Sequence, residues 1–190
     1  MKKVFSIILL ICSVQLWANN EQPKLLKGTY QRIDASYVFG AQLYNDNFLY
    51  NPGYSFQLTH GFKVHDDVNL GLGTGYLSLE NERFIPFHFE VLGYKKKKKN
   101  APFVKFQLGY SIGWNQATTS MDGYKMRGGV YFNAGLGRRI ELNDKFSVLF
   151  HWSYVHQSAS MEYEVFGGYE YEEELNYDMI LLSVGILIHQ

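Results

Sequence analysis

The chain has 190 residues, and its 18 basic and 18 acidic side chains leave it formally neutral at pH 7. A general nucleic-acid binder would normally be basic, so nucleic acid is not a predicted partner. Aromatic residues make up 17% of the chain, and 18 glycines accompany only four prolines, a composition that favours many strands. A single cysteine excludes a fold that is stapled by disulfides.

The first residues, MKKVFSIILLICSVQLWANN, have the plan of a secretory signal peptide. Two lysines precede a short apolar run, and Ala18 is a suitable cleavage residue. The sequence therefore predicts a cleaved signal peptide over 1–18, followed by one domain over 19–190. The only cysteine, Cys12, lies in the cleaved part, so the mature chain is expected to be cysteine-free.

The rest of the chain contains segments in which large apolar residues alternate with small or polar ones. This period of two is the signature of strands with two different faces. Eight such segments cover 33–43, 54–64, 68–78, 84–94, 102–114, 129–141, 146–157 and 177–189. Three of the connections between them are short turns, and the segments are predicted to be antiparallel neighbours in an up-and-down order.

The volume of the apolar residues decides which face points outward. An eight-stranded barrel has an interior only just wide enough for modest side chains, so the bulky apolar rows cannot all fit inside it. The opposite face carries small residues such as Gly71, Gly73 and Gly75, which suit a narrow lumen. The apolar face must then meet lipid, where every backbone group has to be paired and the sheet has to close. The predicted fold is all-β: an eight-stranded antiparallel transmembrane β-barrel.

Charged and polar residues share the small-residue face and are predicted to form a lumenal network that plugs the barrel. They are Asp34, Lys63, His88, Glu90, Lys105, Arg139 and Glu141. A narrow conducting path through the same groups is the alternative. A lumen filled with side chains favours the plug.

The connections alternate in length along the chain. Those at 65–67, 95–101 and 142–145 are assigned to one side, and those at 44–53, 79–83, 115–128 and 158–176, most of them longer, are assigned to the other. Short periplasmic turns and longer extracellular loops are typical of bacterial barrels. We therefore expect both termini and the five lysines at 95–99 on the periplasmic side of the outer membrane, and the longer loops outside.

The connection 158–176 contains six glutamates interleaved with tyrosines and is predicted to be a solvated acidic loop. An extracellular ligand or a divalent cation is the functional alternative, because carboxylate oxygens suit calcium and magnesium. Glu172, Glu173 and Glu174 are the candidate ligands. The spacing matches no defined calcium loop, and no cofactor is predicted.

A proline fits the strand pattern badly. Pro86 falls within the fourth predicted strand. Proline cannot donate to a strand ladder, and a closed barrel has no free edge on which to place it. We expect the pairing to be irregular near this position.

Three stretches carry a resemblance to known proteins: FIPFHFEVLGYKKKKKNAPFVKFQLGYSIGWN, GGVYFNAGLGRRIELNDKFSVLFHWSYVH and the closing LLSVGILIHQ. With these, residues 26–190 resemble the small outer-membrane β-barrel proteins of Gram-negative bacteria. The resemblance implies a structural or cell-surface interaction role without an open pore. It also implies outer-membrane lipids, including lipopolysaccharide, and the barrel assembly machinery as partners, with an extracellular ligand as a further candidate.

One enzyme family of that architecture offers an alternative function. Lipid A deacylases are eight-stranded barrels with a lipid-facing His-x-Ser-Asn motif in the seventh strand. This chain has His156 and Ser158 there, but Ala159 stands where the family has Asn. Asp178 lies at outward parity in the adjoining strand and could orient the histidine. These residues are the candidates for a general base, a nucleophile and an orienting carboxylate in ester hydrolysis.

Overall fold

The computed structural model describes residues 28–44, 47–94, 99–115, 124–165 and 169–189. The predicted signal peptide and Lys95–Lys98 of the lysine run lie outside this part of the chain. Within it, no helix is long and apolar enough to cross a membrane.

All of the regular structure in the described residues is strand. The strands are β1 (Thr29–Tyr44), β2 (Asn47–Tyr50), β3 (Gly53–His65), β4 (Val68–Ser78), β5 (Glu82–Tyr94), β6 (Asn100–Asn115), β7 (Tyr124–Glu141), β8 (Phe146–Val165) and β9 (Tyr169–His189). Each long strand pairs antiparallel with the next, and β1 pairs with β9 to close the sheet. The short β2 folds back on the end of β1, so eight strands form the barrel wall. The predicted eight-stranded antiparallel barrel is confirmed.

The two ends of the barrel differ. Thr29, His189 and the connections β3–β4, β5–β6 and β7–β8 lie at one end, called here the turn end. The connections that follow β1, β4, β6 and β8 lie at the other end, called the loop end.

The predicted orientation of the apolar rows is confirmed. Leu72 is 70% exposed, Leu136 is 67% exposed and Val104 is 62% exposed, and each lies in an outward row with other bulky apolar residues. Monomeric soluble proteins rarely expose apolar patches larger than a few hundred Å². An apolar band around a closed barrel is instead what a membrane-spanning barrel presents to lipid.

The inner face is not small and polar throughout, which corrects that prediction, because two clusters of buried apolar side chains lie on it on either side of the central polar layer. A cluster of buried apolar residues closes the loop end; it includes Val38, Leu77, Phe84, Val155, Tyr177, Met179 and Leu181. A second cluster closes the turn end and consists of Tyr30, Leu92, Tyr94, Phe103, Leu149 and Leu187. Side chains must fill a narrow lumen at native density, and apolar groups do this where no polar partner is available.

The region predicted as an acidic loop, 158–176, is largely strand, and that prediction is wrong. β8 runs to Val165 and β9 starts at Tyr169, with Ser158 opposite Asn176 and Tyr163 opposite Tyr171. The rings of those two tyrosines stack with centroids 6.3 Å apart. The strand signal faded in the sequence because the outward residues change from apolar to polar or charged here, although the backbone pairing continues.

Pro86 lies on the inner face and is buried. Pairing between β4 and β5 joins Thr74 to Phe87 and Leu77 to Phe84, but it is interrupted at the two positions between them. Pro86 falls in that gap, so its missing N–H removes no ladder bond there. The expected irregularity is therefore present.

Candidate functional site

A buried ion cluster lies at the centre of the lumen. Arg32 is fully buried, and its Nη1 lies 3.1 Å from Asp34 Oδ2. Its Nη2 bonds to Glu90, whose other carboxylate oxygen accepts a hydrogen bond from Tyr30 Oη at 3.2 Å. One guanidinium thus joins a buried carboxylate on β1 to another on β5, and the opposite charges offset part of the cost of burying them.

Neutral groups extend this cluster across the lumen. Gln107 Nε2 donates to Glu90 at 2.7 Å and lies 3.0 Å from His88 Nε2. Gln57 donates to Tyr131 Oη at 2.6 Å, and Tyr131 donates to Gln107 Oε1 at 3.2 Å. The amides and the phenol therefore form a continuous network that rigidifies the middle of the barrel.

Four of the seven residues predicted for the lumenal network lie in this central layer: Asp34, His88, Glu90 and Lys105. His151 joins them, with Nε2 3.5 Å from Asp34 Oδ1. Arg32, which holds the cluster together, was missed because the first strand was predicted to begin at 33. Arg32 is two positions from Asp34 and therefore lies on the same face of the strand. This spacing could have identified it.

The other three predicted network residues, Lys63, Arg139 and Glu141, lie at the turn-end mouth and not in the central layer. They line a cavity of about 510 Å³ below the apolar cluster of that end. The Arg139 guanidinium lies 4.5 Å above the centre of the Tyr94 ring and 3.5 Å from Glu141. The apolar cluster separates this mouth from the central ion cluster.

A second polar group lies on the outer surface, where the apolar band ends towards the loop end. His156 and Asp178 are directly opposite each other on β8 and β9, and Nδ1 lies 2.9 Å from Oδ1. Tyr154 Oη donates to the same carboxylate oxygen. The side chains of His156 and Asp178 are 35% and 36% exposed, so this trio is open to the surroundings of the barrel.

Ser158 contacts the backbone of β7 and not His156. Gly128 pairs with Ala159 and Tyr131 pairs with Gln157, so Gly129 and Val130 both lie opposite Ser158 in a β-bulge. Ser158 Oγ accepts a hydrogen bond from Val130 N at 2.8 Å. It makes no hydrogen bond to His156 within the described residues. The structure therefore brings two of the three deacylase candidates together and places the third in the bulge.

This geometry predicts a specific effect of Ser158→Ala. The variant should leave the Val130 amide without its partner, at a cost of about 1 kcal/mol. Amide hydrogen exchange of folded protein in nanodiscs should show exchange at Val130 that is roughly fivefold faster. Ser160→Ala is the matched control, because that hydroxyl has no hydrogen bond in the described part of the chain. Unchanged exchange at Val130 would contradict the structural role.

The three glutamates proposed as weak metal candidates do not converge. Glu172 and Glu174 share the outer face of β9, whereas Glu173 has the opposite parity. Among the described residues, no group of three or more His, Cys, Asp or Glu side chains is arranged to hold a metal ion.

Solved structures of outer-membrane proteins share this barrel fold. Neisserial surface protein A aligns over 86% of this chain and 98% of its own, with a TM-score of 0.60 and 9% identity. The protein has the fold of the small outer-membrane β-barrels. AlkL, determined in DMPC lipid bilayers, aligns over 90% of this chain and 94% of its own, with a TM-score of 0.61 and 10% identity.

A third barrel, OprG from Pseudomonas aeruginosa, aligns over 87% of this chain and 98% of its own, with a TM-score of 0.55 and 9% identity. No protein-family model and no curated protein sequence matches the chain. Identities this low establish the fold alone, and one barrel fold supports many functions. Function must therefore be argued from the surfaces of this barrel.

Proposed function

We propose that the protein is an integral outer-membrane barrel that acts at the cell surface by contact, not by catalysis. The contact surface is the arm, defined as the part of β8 and β9 beyond the trio, residues 158–165 and 169–176. The observation that carries this proposal is that the arm continues as paired strand well past the apolar band. A lipid-embedded barrel does not need this extension in order to close.

The arm has a regular shape and a charged outer face. From Ser158 to Val165, β8 extends about 23 Å at the usual rise of a strand. Glu162 lies opposite Glu172 across the two strands, and such like-charged pairs are destabilising. Arg127 on β7 bonds Glu162 at 2.9 Å, while Glu172 and Glu174 remain exposed on the same face. This arrangement favours a partner with a basic surface.

Binding by the arm is testable with a simple basic probe. Folded protein in nanodiscs of zwitterionic phosphatidylcholine should bind a fluorescent oligolysine peptide saturably. The double variant Glu172→Lys, Glu174→Lys should weaken this binding about tenfold, and salt should screen it. Asp144→Lys, an exposed acidic residue at the turn end, is the control and should retain binding. No saturable binding, or an equal loss in the control, would contradict the proposal.

The sidedness of the barrel has its own test. If the loop end faces outside, then Ser160→Cys should react on intact cells with a maleimide that cannot cross membranes. Asp144→Cys should react only after the outer membrane is made permeable. The expected cysteine-free mature chain provides the background for both variants. The reverse labelling pattern would place the arm in the periplasm.

Hydrolysis of a lipid ester is a second candidate, because the contact between His156 and Asp178 orients an imidazole as such chemistry requires. The bond between Ser158 and Val130 weighs against it. Release of fatty acid from lipid A that is abolished in Ser158→Ala would establish the activity. The remaining alternative is a channel through the lumen. The two apolar clusters that close the barrel do not support it.

A further inference from the structure

The outer wall contains a groove that neither the arm nor the lumen explains. It has a volume of about 840 Å³ and crosses β4 to β9, with an almost entirely apolar lining. Its floor is formed at Gly93 and Ala134, and large side chains such as Trp152 and Tyr154 stand beside them. The groove is open along the outer wall, so a ligand in it would keep one side towards the surrounding lipid.

The groove has a direction. One row of paired outward residues runs from Val91 through Phe106, Ala134 and Tyr154 to Ile180. Its four inter-strand steps measure about 19 Å. Val91 lies near the turn-end limit of β5, whereas Ile180 lies well inside β9, so the row climbs towards the loop end. A linear chain lying along it would therefore point its upper end at the trio.

The trio supplies polar groups at that end. Tyr154 lines the groove and donates to Asp178, and Asp178 also contacts His156 Nδ1. His156 Nε2 has no partner within the described residues. Ionisable groups on a lipid-facing surface are costly, and they usually mark a functional contact. A neutral imidazole would accept a hydrogen bond from a hydroxyl at Nε2, and an imidazolium would donate one to a phosphate.

Two cationic side chains lie beside the arm. Lys125 and Arg127 are exposed on the outer face of β7, above the bulge that Ser158 fills. Arg127 bonds Glu162 but remains more than half exposed. Moving outward, the surface changes from an apolar groove to a His–Asp–Tyr trio and then, on β7, to Lys125 and Arg127 beside the acidic arm. This order matches that of acyl chain, sugar and phosphate in a phosphorylated glycolipid.

We propose that this groove and the trio form a binding site for one phosphoglycolipid of the outer leaflet. One acyl chain lies along the groove, and the headgroup bonds to His156 Nε2. The inference rests on the proposed placement of the loop end outside, and it identifies a lipid partner without requiring hydrolysis.

The test uses the intrinsic fluorescence of Trp152, which lines the groove. In a Trp114→Phe background, purified folded protein in detergent is titrated with lipid A. We expect a saturable response with one lipid per barrel. The anionic phospholipid phosphatidylglycerol should bind at least tenfold more weakly. A linear response to lipid A that reflects simple partitioning, or equal affinity for phosphatidylglycerol, would overturn the proposal.

Two matched variants locate the site. Ala134→Phe fills the groove floor and should weaken lipid A binding about tenfold. Ala35→Phe adds the same ring at an outward position of β1, away from the groove, and should leave binding unchanged. Equal losses in both variants would overturn the proposed location. If Ala134→Phe fails to fold, Gly93→Leu provides a second substitution at the other end of the floor.

The headgroup contact is tested by His156→Gln and Asp178→Asn. Each should weaken binding of lipid A roughly threefold and leave that of phosphatidylglycerol unchanged; no change for lipid A would overturn the headgroup assignment. Binding of oligolysine by the Ala134→Phe protein separates the two proposals, because the arm should still bind when the groove is filled. Titration in detergent is also independent of which end of the barrel faces outside.

Discussion

Replacing Arg32 with methionine should lower the free energy of unfolding by about 3–5 kcal/mol. Methionine has a similar length and is tolerated in apolar surroundings, so the change removes mainly charge and hydrogen bonds. Asp34 and Glu90 would then lie buried without their shared cation. Removing one partner of a buried ion pair costs much more stability than the intact pair contributes. The reason is that the remaining charge stays desolvated. Urea unfolding of the protein in lipid vesicles measures this loss.

The matched control is Arg127→Met on the outer face. Arg127 also bonds a glutamate, Glu162, at 2.9 Å, but the arginine is largely exposed. Exposed ion pairs contribute about 0–1 kcal/mol, so this variant should unfold close to the native midpoint. A similar loss of unfolding free energy in both variants would show that the central cluster stabilises the barrel no more than an exposed ion pair does. A restored midpoint in Arg32→Met combined with Asp34→Asn and Glu90→Gln would support the charge argument.

The second large effect is expected at Gly185. A Cβ atom at this position would lie 2.0 Å from Asp34 Oδ1, so any side chain must displace the carboxylate. Gly185→Leu should therefore destabilise the barrel by about 3 kcal/mol, through overpacking and loss of the contact between Asp34 and Arg32. Reduced yield of the heat-modifiable folded form on a gel, with a lower unfolding midpoint, is the measurement.

Gly93→Leu is the control for that variant. A Cβ atom at Gly93 would lie 3.3 Å from Val104 Cγ2 and would point towards lipid, where a leucine side chain is accommodated. Its folded yield should stay near that of the native protein. Arg32→Met and Gly185→Leu act on the same ion pair, so the double variant should lose less stability than the sum of the two. Full additivity would contradict a shared mechanism.

The lumen shows where sequence reasoning reached its limit. The small residues of the inner face were recognised as a sign of limited space, and Gly73 confirms this: a Cβ there would lie 2.4 Å from His88 Nε2. Which polar groups meet across that space could not be predicted. Partners such as Arg32 and Glu90 are 58 residues apart in the chain, and their contact depends on the stagger of every strand between them.

The arm and the bulge illustrate a different limit. Alternation detects a strand only while its two faces differ in polarity. Beyond His156 the outward residues become polar or charged, so β8 and β9 continue without the signal. Ser158 was recognised as a polar residue at outward parity, but its bond to Val130 depends on a one-residue register shift on β7. That shift leaves no periodic trace in β8.

The amino-acid sequence by itself determined that the chain forms a closed eight-stranded barrel and which side of each strand meets lipid. These properties follow from side-chain parity, which is local to each strand. Tertiary structure decided that Arg32 joins Asp34 to Glu90, that His156 meets Asp178, and that the groove over Ala134 leads to them. Each of these depends on the register and stagger between strands. Those are set collectively when the barrel closes, because every backbone group in lipid must find its partner.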